Sequence, residues 1–243
     1  MTDGLSPPTP PRFPGATWLS GTLRAQRWMW AEAIGTWFRR PLPSARHALS
    51  LGEGRRFTLG RGSWMSVLVP MVVFSQFVDV LVAQGVVQVA AVGNQRLALH
   101  GLLLLGSLWT VAWAVALRSA TRRVDHVLGP HALTLAIGLR DICRMPLAEI
   151  ASVRVVDHRA ARGHQDWFDV HALKPRDVTL MTALDKPTLL IELQPGATGA
   201  WRTRNGVARP VRRWIAAYVD EPAAMAAAVA GALFPPVTAG NAN

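Results

Sequence analysis

Asp79 is the single ionised residue in the apolar stretch from about Trp64 to Gln88. A carboxylate near the middle of a bilayer costs on the order of several kcal/mol, so an intramembrane acid is a functional candidate by default. Ser75, Gln76 and Asp79 lie three or four residues apart and share a helical face. Such a set can hold or relay a proton, bind a basic group on a partner span, or hydrogen-bond Ser107 or Thr110 on a neighbouring helix. A single acid with no intramembrane base beside it does not make an ion pathway. The expected role is structural or in assembly.

Two further sets have residue types suited to chemistry. His158, His164 and His171, with Asp157, Asp166 and Asp169, are acceptable ligands for zinc or another divalent ion. Their spacings of six and seven fit neither the H-E-x-x-H helix nor a ribbon site, and no cysteine joins them, so a solvated loop is expected. Arg122-Arg123 and Arg212-Arg213 are pairs that could face anionic headgroups, where each charge contributes about 1 kcal/mol of attraction. The alternative for them is a solvated strand edge beside a membrane. The sequence has no G-x-S-x-G, no glycine-rich phosphate loop and no Cys/His pair at a recognisable spacing. It therefore reads as a non-enzyme, with no cofactor expected.

These residues need a scaffold, and hydropathy supplies it. Residues 97–117, LALHGLLLLGSLWTVAWAVAL, carry no Asp, Glu, Lys or Arg and are closed by Arg96 and Arg118. Roughly 20 apolar residues suffice to cross the hydrocarbon core as a helix. This run and the stretch before it predict a transmembrane hairpin over 63–118. Gly106, Thr110 and Ala114 recur every four residues, a stripe of small side chains that permits close helix approach. An antiparallel turn near residue 92 sets Asp79 at the depth of Gly106 and Ser107, so the polar set and the stripe are expected to face one another.

The net charge of +11 comes almost wholly from arginine, since Lys174 and Lys186 are the only lysines. Residues 1–62 and 118–243 are both strongly basic, the hairpin is neutral, and the connection at 89–96 holds only Arg96. The positive-inside rule then puts both termini in the cytoplasm. The basic excess points to anionic lipid headgroups. Nucleic acid is not an expected partner, because no helix-turn-helix, zinc-finger or aromatic-stacking signature is present. A protein partner or a homo-oligomer is expected instead.

Outside the hairpin the chain divides further. Residues 1–16 are proline-rich and expected to be disordered. Within 17–62, Leu19, Leu23, Trp30, Ile34 and Trp37 fall on one helical face, predicting an amphipathic helix followed by a linker. That helix either lies in the membrane interface or docks on the cytoplasmic domain. The N-terminus lacks the pattern of a cleavable signal peptide, so insertion is expected to rely on the hairpin. Residues 119–235 alternate in the manner of six or seven short antiparallel strands, with DVTLMTAL and PTLLIEL as a hairpin around Asp185-Lys186. DEPAAMAAAVAGALF then predicts a closing helix, and 236–243 form a tail. Cys143, the one cysteine, excludes an internal disulfide and is expected to be buried in a strand.

Four segments of this region carry a family resemblance: RSATRRVDHVL at the exit from the span, HVLGPHALTLAIGL, RMPLAEIASVRVV with its Pro-Leu-x-x-Ile-x-x-Val pattern, and VRRWIAAYVDEPAAMAAAV. Over about residues 97–235 the chain resembles bacterial pleckstrin-homology-like (PH-like) membrane proteins, in which a transmembrane pair precedes the domain. The stretch HRAARGHQDWFDVHALKPR at 158–176 departs from that pattern by its length and polarity. The resemblance implies a partly open antiparallel barrel capped by a C-terminal helix, acting as a binding or assembly module at the inner membrane. Three functions follow in order: presentation of that domain to a protein or anionic lipid; an accessory role in an envelope transport or export complex, with Asp79 on a partner span; and a membrane-bound hydrolase built on the histidine loop.

Overall fold

The computed structural model describes residues 18–38, 44, 51, 53–59, 65–90, 93–138, 141–157, 164–182, 185–204 and 207–234, excepting the side chains of 18–25, 37, 65, 66, 90, 164, 165, 204 and 207. The expected tails at 1–16 and 236–243, together with Trp64 and His158, lie outside the described residues, as do the side chains of Leu19, Leu23, Trp37 and His164.

The apolar stretches form helices α2 (Met65–Ala90) and α3 (Asn94–Arg123), preceded by α1 (Trp18–Phe38). Val67–Val89 and Asn94–Arg123 are long and apolar enough to cross a membrane. They are not core helices of a water-soluble fold, since Phe74 is 70% and Leu102 72% exposed amid many similar neighbours. Apolar surface of that extent marks an interaction site. Gly93, at φ 61°, opens α3 and accepts the Arg96 N–H at 3.1 Å. Arg96 Nη2 also donates to the Gln88 carbonyl at 2.9 Å, a cation on the negative end of α2. α3 does not stop at Arg118 as hydropathy suggests. It runs on to Arg123, and the Val124 N–H still bonds the Ala120 carbonyl.

Beyond it lie two sheets. The larger holds β1 (Arg55–Phe57), β2 (His126–Leu128), β3 (Ala132–Ile137), β4 (Asp141–Pro146), β8 (Trp201–Arg204) and β9 (Val207–Pro210), side by side in that order. The smaller has the order β5 (Ile150–Val155), β7 (Leu189–Leu193), β10 (Trp214–Ala217), β6 (Val178–Met181). Leu133, Leu135, Cys143 and Met145 from one sheet pack against Met181, Ile191 and Ile215 from the other. Met225 and Val229 of the C-terminal helix α5 (Pro222–Leu233) join the same core. The other face of the smaller sheet is covered by Trp167 and Phe168 of the short helix α4 (His164–Val170), which meet Leu190 and Ala216. Coverage of both faces explains why β7 reads as a continuous apolar run rather than an alternation. The result is a mostly antiparallel, sheet-rich region with a C-terminal helix, whose two sheets do not close into a barrel.

Several expectations are corrected. The described residues of 119–235 contain nine strands rather than six or seven, and one pair, β6 with β10, is parallel. β6 and β7 are not a hairpin around Asp185-Lys186, because β10 lies between them and bonds to both. Asp185 is buried and Thr188 exchanges hydrogen bonds with Val219, so that turn is held by the strand returning from β10 instead of by its two neighbours. The linker before the hairpin contains β1, added to the edge of the larger sheet beside β2. Gly54 makes that junction: at φ 155° its Cβ position lies 2.3 Å from the Leu128 carbonyl oxygen, space only glycine leaves. The polar stretch at 158–176 is not solely a loop, since it contains α4. Cys143 is fully buried as expected, and burial pushes its thiol up to about 12.

His126 pins β2 into this core. Its Nδ1 accepts the Ala136 N–H at 3.1 Å, which leaves Nε2 to donate to the Tyr218 carbonyl at 3.0 Å. Burial lowers its pKa from the ordinary 6.5, an effect larger than the opposing pull of the Tyr218 carbonyl and Asp220. The unfolded chain therefore binds the proton first, and stability that is full above pH about 6.5 falls as pH drops through the range down to the folded value. Thermal melts of the detergent-solubilised protein from pH 8 to pH 5 should show this loss, and His126→Gln, which cannot titrate, should flatten it.

Candidate functional site

Ser75, Gln76 and Asp79 are brought together as their spacing demands. Ser75 Oγ donates to Asp79 Oδ2 at 3.4 Å and Gln76 Nε2 donates at 3.2 Å. The set does not face the small-residue stripe of α3, however. Asp79 and Ser75 are exposed on the outside of the helix pair, and a Cβ added to Gly106 would meet nothing within 4 Å. Thr110 turns its hydroxyl onto the Gly106 carbonyl of its own helix at 2.9 Å, and Ser107 is half-buried. Gly106 is therefore open rather than a seat, and Asp79 and Ser75 face outward while Gln76 is half-buried.

The small residues of α3 that do seat a helix lie about two to three turns after Gly106, and they seat α1. Trp30 meets Trp109 edge-on at 5.0 Å between ring centroids, and Ala33 packs with Ala112 and Ala116. Farther along, Thr36 Oγ1 lies 3.3 Å from Ser119 Oγ. The order of these contacts shows that α1 and α3 run in the same direction. The start of α1 therefore lies toward the Gly93 turn, at the other end of α3 from the sheets, and the expectation that both termini lie on the sheets' side of the membrane is not met. α1 thus docks on α3, which neither of the two expected placements anticipated.

Glu32, fully buried, holds this junction. Its carboxylate accepts the Ser44 N–H at 3.0 Å, the Ser44 hydroxyl, and the Ser119 hydroxyl at 2.8 Å. A buried carboxylate needs such donors, because desolvating it unpaired costs far more than the bonds return. The sequence offered a faint signal: one acid on a helix otherwise charged only by arginine.

A second candidate lies at the far edge of the sheets. β6 and β9, each the last strand of its sheet, line an open cleft of about 600 Å3 with Arg202, Arg209, Arg212, Asp141, Thr179 and Thr182. Arg202 Nη2 pairs with Asp141 Oδ2 at 3.1 Å, both largely buried, and Arg202 Nε is buried without a hydrogen-bond partner among the described residues. Arg212 is held by the Pro175 carbonyl at 2.6 Å from its Nη1, while its backbone N–H donates to Thr179 Oγ1 at 3.0 Å. Three guanidinium groups against one carboxylate make the cleft a place for an anionic group, which arginine binds through paired N–H donors.

The four arginines singled out from sequence do not form one patch. Arg212 lines the cleft, whereas Arg213 pairs with Glu192 Oε1 at 2.6 Å. Arg122 and Arg123 are exposed on the last turn of α3, where a cation complements the helix dipole, and Arg123 Nε donates to Ser119 Oγ at 3.4 Å. Arg202 and Arg209 were not anticipated. Their signal is WRTR and VARP flanking Asn205-Gly206, the commonest two-residue hairpin dipeptide.

Of the histidines, His171 is half-buried against Trp167, with ring centroids 4.7 Å apart. Desolvation first, then Arg154, lowers its pKa, against the pull of Asp157. Among the described residues no group of three His, Cys, Asp or Glu side chains could hold a metal ion. No family model, no curated protein and no solved structure matches this chain.

Glu32→Ala should free α1 from α3. It strands the Ser44 N–H and the Ser119 hydroxyl, a loss of about 1–3 kcal/mol per buried unmet group. Limited proteolysis in detergent should then cut within 18–38 under conditions that spare the parent protein, and Glu32→Gln should fall between the two.

Proposed function

We propose that this chain is a non-enzymatic integral membrane protein of the inner membrane whose hairpin holds a PH-like binding module at the cytoplasmic face, where the arginine cleft takes an acidic group of its partner. The observation that carries this reading is the continuity of α3. One helix leads from exposed apolar surface to the sheets with only Val124 and Asp125 between it and β2, and Ala120 and Val124 at its end are buried. A module fixed in that way keeps a set height above the headgroups. The excess of arginine on the domain side supports a cytoplasmic position through the positive-inside rule. The PH-like assignment rests on the four sequence segments and on two facing sheets with a C-terminal helix against their core.

An accessory role in an envelope transport or export complex is the second reading. The outward exposure of Asp79 and Ser75 favours it, since lipid offers such groups no further partner and a neighbouring span would.

The acidic-partner reading is tested with the full chain held in nanodiscs of neutral lipid and offered to vesicles rich in phosphatidylglycerol. Each basic residue near an anionic surface contributes about 1 kcal/mol, so R209E/R212E should weaken capture at least about tenfold and make what remains less sensitive to salt. Capture equal to the parent protein would remove the cleft from the proposal.

A further inference from the structure

Two ionisable side chains stand at the same depth beside the hairpin and do not meet. Asp79 lies eleven residues before the end of α2, hence about 16 Å below the turn at Gly93, taking a helical rise of about 1.5 Å per residue. Trp109 lies fifteen residues into α3, about 22 Å below it by the same rise. Arg27 precedes Trp30 by three residues on a helix running the same way, which returns it to about 18 Å. Both are exposed, and no ion pair joins them within the chain. Each belongs to an uncovered helical face: Arg27, Ala31, Ile34 and Phe38 on α1, and Ser75, Asp79, Val82 and Val86 on α2. Both faces follow the i, i+4, i+7, i+11 spacing of a packing stripe.

We propose that a second copy of this chain covers these faces, with α1 of one copy against α2 of the other, so that Arg27 and Asp79 pair between copies. The charge and depth of the two groups are complementary, and a second copy shares the topology that sets them level. Two-fold symmetry makes the contact twice, Arg27 to Asp79 and Asp79 to Arg27, so neither charge is left in lipid. Apolar side chains flank the pair on both sides, among them Trp28 at 41% exposure and Phe77 at 62%. Gln76 and Ser75 already donate to the Asp79 carboxylate and would hold it toward the guanidinium. This inference rests on the membrane reading above.

The test is co-purification of two differently tagged full-length copies in mild detergent, with carbonate-washed membranes confirming insertion of every variant. R27D and D79R should each lower co-purification at least about tenfold, because each leaves like charges facing. The exchanged double variant R27D/D79R should restore it to within a few-fold of the parent, and R27K should retain most of it. As a second measure, chains carrying R27C and D79C should be joined by a short bis-maleimide only when expressed together, the buried Cys143 thiol staying unreacted. Failure of the double variant to restore association would overturn the proposal. So would unchanged association in the single variants, joining within one chain that carries both cysteines, or capture of Asp79→Cys by a protein of different mass. Release of the parent chain by carbonate would overturn the membrane reading itself, a separate result.

Discussion

Everything in this molecule hangs on one helix that changes environment without changing conformation. α3 begins at Asn94, where its neighbours are the apolar side chains of α2, and ends at Arg123 beside the first strand of the sheets. A helix satisfies its backbone within itself, so it can leave an apolar medium and enter an aqueous one with no polar group orphaned. Composition marks the change: alanines 112, 114, 116 and 120 are buried, then Arg122 and Arg123 are exposed. Because small residues dominate that half, α1 can lie close enough for Glu32 to reach Ser119. Because the last turn abuts Gly138 at the end of β3, the sheets are fixed to the helix rather than tethered to it.

This arrangement separates two kinds of polar group. Glu32 is buried and fully engaged, so its role is internal: it ties α1 and residue 44 to α3. Asp79 is bonded only within its own helix and looks outward, as does Arg27 on α1. A buried acid with three donors stabilises a junction, while an exposed acid on an apolar helix asks for a partner. The arginine cleft makes a similar request between the edge strands β6 and β9, where screening by salt weakens it and a ligand must bring several contacts at once.

The helices and most of the strands were legible in the sequence because they obey local rules. The charge-free run, the change from helical to alternating pattern near residue 124, and the acid-proline start of the last helix each report on neighbours close in the chain. Strand order was not legible in the same way. β10 inserts between β6 and β7 on the strength of long-range packing by Ile215 and Ala217, and nothing near Asp185-Lys186 announces that. The facing of Asp79 failed for a related reason. Depth follows from counting residues, but rotation about the helix axis depends on which side chains fill the interface. Arg202 and Arg209 were missed although Asn205-Gly206 marked their hairpin, because Asp141, which pairs with Arg202, and Thr179, which lines the same cleft, lie far away in sequence.

The central claim is that membrane helix and sheet domain move as one body. Pulsed electron–electron distance measurement between spin labels on exposed positions of each, Leu105→Cys on α3 and Arg144→Cys on β4, tests it directly in nanodiscs, with labelled chains diluted by unlabelled ones. A single narrow distance distribution, unchanged between neutral and anionic lipid, is the predicted result. A broad or multiple distribution would mean a hinge after Arg123 and would contradict the account.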